Sequence, residues 1–231
     1  FVATSCQGLG ASVWWPCKDH QYDEPEKGVT ISVRVPDTLM NVSNGRLINT
    51  VQHEDATKTW VWQVTEPINN YSVSMNIGKY IHMHDELNGE AGKLSLDYYV
   101  LPQNKAGAER QFSQVKPMIE CFEHWFGKYP FYKDGFKLVE VPYLGMEHQS
   151  NVAYGNKYMN GYLGRDLSGT GWGLKWDFII VHESGHEWFG NNITSKDIAD
   201  MWIHEGFTNY SETLFTQWLS GKEAGSAYNK G

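Results

Sequence analysis

Along the first third of the chain, apolar and polar residues alternate with a period of two. Val29, Ile31, Val33 and Val35 fall on one side of such a run, and Pro36-Asp37 closes it. This is the period of a half-buried strand. Residues 59–64 (TWVWQV) and 71–81 (YSVSMNIGKYI) predict further strands, and Asn44-Gly45 predicts a type I′ hairpin turn. No helical period intervenes before about residue 106, so residues 1–84 are expected to form an antiparallel sheet domain. Residues 82–93 (HMHDELNGEAGK), polar and Gly-containing, read as a linker or domain edge.

The pattern then changes. After one more strand (LSLDYYVL, 94–101), Phe112, Val115, Ile119, Phe122 and Phe126 recur near helical spacing and predict an amphipathic helix over 106–126. A short strand at 136–142 and a Gly- and Tyr-rich loop at 155–173 follow. A helix is expected over 172–190, stopped by Gly190, and a second over about 197–220, with Thr194 or Ser195 as its N-cap. The fold class is therefore α+β, with a mixed α/β domain over residues 85–231.

Composition narrows the functions. A hydrophobic share of 41% in 231 residues is enough for one large core or two modest ones. The net charge of -8, with no basic run, argues against a nucleic-acid partner. No apolar run approaches the roughly 18 residues of a transmembrane segment. Cys6, Cys17 and Cys121 show no CxxC spacing; free thiols are the default reading, with a Cys6–Cys17 bridge left open. The first residues carry neither an initiator Met nor the charged start of a signal peptide, so a piece of a longer chain is expected. Sequons at Asn41, Asn70, Asn192 and Asn209 read as chance matches, since two flank the chemistry described next.

His182-Glu183-Ser184-Gly185-His186 matches H-E-x-x-H. Four residues on a helix return the second imidazole to the face of the first, so both can bind one Zn2+. Glu183 then lies beside the metal, free to take a proton from a water. The segment before the motif is apolar (Trp176, Phe178, Ile179, Ile180, Val181), which starts the histidines from a buried helix. Glu205 follows after 18 residues (187–204), a distance that a helix reversal can close. Two His and one carboxylate leave an open position, the pattern of a catalytic zinc site. Asn209 and Glu212, one and two turns beyond Glu205, are candidates to orient the ligating imidazoles.

These residues resemble the aminopeptidase N family of zinc metallopeptidases, which includes a leukotriene-hydrolysing branch. The likeness extends to Gly145-Met146-Glu147-His148, similar to a G-x-M-E-N exopeptidase motif, and to Gln7–Asp19 and SNGRL (43–47) in the β-rich part. The resemblance implies part of an N-terminal β domain followed by part of a thermolysin-like catalytic domain. It implies His182, His186 and Glu205 as ligands of one Zn2+ per chain and Glu183 as general base. Glu147 and Gln7 would hold the substrate's free amine, and Gly145 and Met146 its backbone. Peptides with a free N-terminus are the implied partners. The family's oxyanion-stabilising Tyr would lie beyond this chain, so the isolated residues are expected to bind zinc but turn over peptides poorly. His148 and His204 stand where the family has Asn; both keep hydrogen-bonding capacity, and imidazoles ordinarily titrate near neutral pH. The alternatives are a zinc endopeptidase, a lipid-epoxide hydrolase, or a non-catalytic peptide-binding relative.

Overall fold

The computed structural model describes residues 1–7, 9–20 and 23–231; Gly8, within the Gln7–Asp19 stretch, lies outside them. Two small antiparallel sheets form the first part. One has the order β2-β5-β4, from Val29–Pro36, Thr57–Val64 and Arg46–Gln52. The other has the order β1-β6-β3, from Val2–Ala3, Met75–Gly78 and Met40–Ser43. Their inner faces share a core of Ile31, Val35, Val42, Trp60, Trp62 and Val64. Cys6, Cys17 and Cys121 are all free thiols. Asn41 and Asn70 are buried, so neither sequon is open to a glycan in this fold.

Asn44-Gly45 does not make the expected hairpin. The strands on either side of it, β3 and β4, belong to different sheets. Gly45 supplies the one left-handed residue of the pair (φ 72°), whereas a type I′ turn needs two. The Asn44 side chain is buried and bridges backbone instead, donating to Ser72 O (2.9 Å) and Gln149 O (2.6 Å) and accepting from Ser74 N (2.7 Å).

The second part is built on a five-stranded mixed sheet, order β10-β11-β9-β8-β7. Its strands are β7 (Ile81–Gly89), β8 (Gly92–Val100), β9 (Phe136–Glu140), β10 (Gly145–Met146) and β11 (Val152–Tyr154). The segment expected as a linker is thus β7 and the turn that joins it to β8, and the strand runs through residues 84 and 85. Its inward side chains alternate with polar, outward ones, and Leu87 is buried. The predicted helix at 106–126 appears as α1 (Lys105–Gln111) and α2 (Val115–Phe126), joined by one 3₁₀ turn.

The helix expected over 172–190 is shorter: α3 spans Phe178–Gly185. Residues Trp172–Leu174 form a 3₁₀ turn, and Asp177, extended at ψ 114°, ends any continuity with it. Asp177 is the N-cap, accepting from Ile179 N and Ile180 N. Neither Thr194 nor Ser195 caps the next helix, α4 (Trp202–Ser220). Thr194 Oγ1 donates back to Gly190 O, and Asp197 caps a 3₁₀ turn over Ile198–Asp200 that leads into α4. A last helix, α5 (Lys222–Tyr228), follows. Helices α2, α3 and α4 cover one face of the sheet through Phe122, Ile119, Ile180 and Phe215, with Trp176 just before α3 in the same core.

Candidate metal centre

Helix α3 opens on an apolar run, residues 178–181 (FIIV), that packs into the core, and His186 follows as its C-cap. That burial sets His186 at 1% exposure and Glu183 at 8%. Gly185 brings α4 close: a Cβ there would stand 2.7 Å from Ser211 Oγ and 3.1 Å from Thr208 Cγ2. The close crossing carries Glu205 and Glu212 to the histidines.

The donor atoms then converge. His182 Nε2 and His186 Nε2 are 3.3 Å apart, and Glu205 Oε2 lies 3.5 Å and 3.6 Å from them. Ligands about 2.0–2.1 Å from a tetrahedral zinc stand about 3.3–3.4 Å from one another. The far ring nitrogens are both engaged: His182 Nδ1 meets Glu212 Oε1 at 2.8 Å, and His186 Nδ1 meets Phe189 O at 2.9 Å and Thr208 Oγ1 at 3.1 Å. These contacts turn each Nε2 toward the common centre. Two imidazole lone pairs and a carboxylate facing one another need a cation between them, so the residues present fit zinc.

The electrostatics agree. Burial by itself would lower His182, but Glu205 and Glu212 outweigh it and push the imidazole up to about 10. The same contacts, with His182 first, hold Glu205 well below the usual carboxylate range. A metal arriving here displaces protons from the ring nitrogens.

On the other side of His186 lie Glu183 and Glu147, whose oxygens fall within 4.8 Å of its ring nitrogen and of each other. Burial pushes Glu183 up to about 7. Glu147 is 2% exposed, and its Oε1 finds no hydrogen-bond partner among the described residues. A buried carboxylate oxygen left unpaired is costly unless a ligand completes it. Gln7 reaches the same region, donating from Nε2 to Glu205 Oε1 at 3.4 Å. Gly145 and Met146 form β10, the edge of the sheet, paired on one side with β11 only. Asn209 is exposed and lies with Glu212 along a groove; among the described residues no hydrogen bond joins it to His182 or His186.

His148 and His204 do not titrate near neutrality as expected for ordinary imidazoles. Both are fully buried, and burial pushes them down to about 3 and about 4. His204 Nε2 accepts from Ser195 N at 2.8 Å.

Several supporting residues went unforeseen. Tyr228 donates its hydroxyl to Glu212, Asn191 Nδ2 donates to Glu147 O (2.7 Å), and Glu187 accepts from Ser150 N (2.8 Å). For Asp177 a signal existed: a carboxylate directly before an apolar helical run. The true start of α3 is Phe178, directly after it.

Comparison with known proteins identifies the family. Residues 110–229 match the peptidase family M1 domain. The chain is 24% identical over 223 residues to probable aminopeptidase 2 of Sulfurisphaera tokodaii, covering 94% of this chain and 27% of that protein. It is 27% identical to the glutamyl aminopeptidase of Homo sapiens, covering 92% of this chain and 22% of that protein. The fold matches an M1 zinc metallopeptidase from Deinococcus radiodurans with a TM-score of 0.78 at 21% identity, over 95% of this chain and 46% of that one. The chain thus spans about a quarter of the length of these curated relatives. As its resemblance to the aminopeptidase N family implied, the chain belongs to peptidase family M1.

Proposed function

We propose that this chain forms the zinc-binding and amine-binding part of an aminopeptidase that releases N-terminal residues from peptides. The observation that carries the reading is the buried Glu147, with an unpartnered oxygen, beside the converging His182, His186 and Glu205 donors. His182, His186 and Glu205 would hold one Zn2+ per chain, with Glu212 orienting His182. Once bound, the ion would polarise the scissile carbonyl and acidify a water.

The remaining work falls to side chains. Glu183 takes the proton of the attacking water and returns it to the leaving amine. Glu147 and Gln7 receive the substrate's ammonium, which offsets the burial of the carboxylate. A peptide lying along the edge strand β10 pairs with the backbone at Gly145 and Met146, as an added strand does. Because Glu147 stands where an internal peptide would have to continue, the register is fixed at the first residue. In this reading residues 1–84 wall the amine end of the cleft and residues 85–231 carry the metal.

Two experiments on the full-length, zinc-loaded protein test this. One peptide, offered with a free and with an acetylated N-terminus, is expected to be cut only when free, and Glu147→Ala is expected to abolish that cleavage. Equal cleavage of both forms would make the enzyme an endopeptidase and leave Glu147 without its role. The second concerns Gly145. A Cβ at that position would lie 2.7 Å from Ile179 Cγ2 and 2.8 Å from Glu183 Oε1. Gly145→Ala therefore has to displace the base, and kcat/KM is expected to fall about 10-fold or more with zinc content unchanged. Wild-type kinetics in this variant would mean that Glu183 is not held by the edge strand.

A further inference from the structure

A second cluster of metal-ligating side chains lies on the five-stranded sheet, away from the first. His82 and His84 are two apart on β7 and so share a face. In the antiparallel register β8 sets Asp97 directly opposite His84 and Tyr99 opposite His82. Both imidazoles converge on a single oxygen: His82 Nε2 is 2.7 Å and His84 Nδ1 2.9 Å from Asp97 Oδ1. The three donor atoms lie within 4.8 Å of one another.

The arrangement is partly built in advance. The His82 ring stacks flat on Tyr99, with centroids 4.6 Å apart and planes 7° from parallel. Asp97 is largely covered, its side chain 19% exposed, while the histidines stand at 42% and 50%. The cluster also lines a groove of about 280 Å³ together with Trp62, Tyr99 and Lys137, which leaves room for water to complete a coordination shell. Lys137 and Arg46 line the same groove: the Lys137 ammonium donates to Gly45 O and lies over the Trp62 ring, with burial pushing it down to about 7 against the pull of Asp97, and Arg46 Nη1 donates to Ser95 Oγ.

We infer that His82, His84 and Asp97 form a second metal site, for a divalent transition ion of the Zn2+, Ni2+ or Cu2+ class. Two imidazoles and one carboxylate suit these ions; Mg2+ and Ca2+ prefer all-oxygen shells. An ion entering here replaces the protons that now bridge the rings to Asp97, and ties β7 to β8 near the free edge of the sheet. The site is independent of the peptidase reading, since no residue is shared with the first centre.

Native mass spectrometry of the full chain, stripped by chelator and titrated with Zn2+, counts the ions. The wild type is expected to bind two and His82→Gln/His84→Gln one, with the conservative Asp97→Asn weakening the second ion by tenfold or more. His186→Ala is expected to lose the other ion and keep this one. A single ion on the wild type, or two on the His82→Gln/His84→Gln variant, would overturn the proposal. In that case the His–Asp contacts are only a clamp between the strands, and the loss of one ion in His186→Ala still reports on the first centre separately.

Discussion

Replacing Glu183 by Gln is expected to slow peptide hydrolysis by about 10²–10⁴-fold, the usual worth of a general base, while zinc remains bound. The substitution keeps the shape of a side chain packed against Gly145 and leaves His182, His186 and Glu205 unchanged. What it removes is the ability to accept a proton beside His186. Steady-state kinetics on a peptide with a free N-terminus, alongside metal analysis of the same sample, separates the two effects. Activity within tenfold of wild type would assign the base elsewhere, and loss of zinc would make Glu183 part of the metal's support. The pH profile adds a sign. Burial raises Glu183 to about 7, and a divalent ion at close range pulls a carboxylate back down. The base works only when ionised, so kcat/KM declines as pH falls through its pKa, and the acid limb of the loaded enzyme is expected below about 7.

The second large effect is on stability. Asp177 is fully buried and serves five donors: Ile179 N, Ile180 N and Asn156 Nδ2 at Oδ1, with Gln111 Nε2 and Tyr154 Oη at Oδ2. It caps the helix that carries His182 one turn later, and at the same time ties that helix to α1 and β11. Asp177→Ala strands these donors in the interior, at a cost of about 3–5 kcal/mol. For a chain of this size the melting temperature is expected to drop by on the order of 10 °C. Thermal unfolding of the zinc-loaded protein measures it; a change below about 1 kcal/mol would mean that neighbouring water or side chains replace the carboxylate.

The sequence was most legible where one physical demand dominates. Val29 to Val35 alternate because β2 has one buried and one wet face, and the spacing of His182, His186 and Glu205 is what brings three donor atoms together at one point. It was least legible where local chemistry serves a distant partner. Residues 82–93 look like a linker because β7 is an edge strand whose outer face carries His82, His84 and Glu86; the inward Ile81, Met83 and Leu87 were already alternating. Asn44-Gly45 has the composition of a hairpin, yet the Asn amide is spent on backbone more than 100 positions away, at Gln149. No window of local sequence contains that partner. The burial of His148 is equally non-local, since it follows from how residues 147–151 are packed rather than from their identity.

The crossing at Asn44 bears on how selectivity is inherited. Residues 148–151, which follow Glu147, the proposed amine-binding carboxylate, are anchored by Asn44 on Gln149 O, by Gly45 N on Ser150 Oγ and by the Ser74 hydroxyl, which Asn151 Nδ2 reaches. All three anchors come from the β-rich part. If Glu147 receives the substrate's amine as proposed, the mould for the first residue is cast jointly by both halves of the chain. A chimera that exchanged only the metal-bearing half would bring its zinc site intact but inherit the host's grip on the peptide's end.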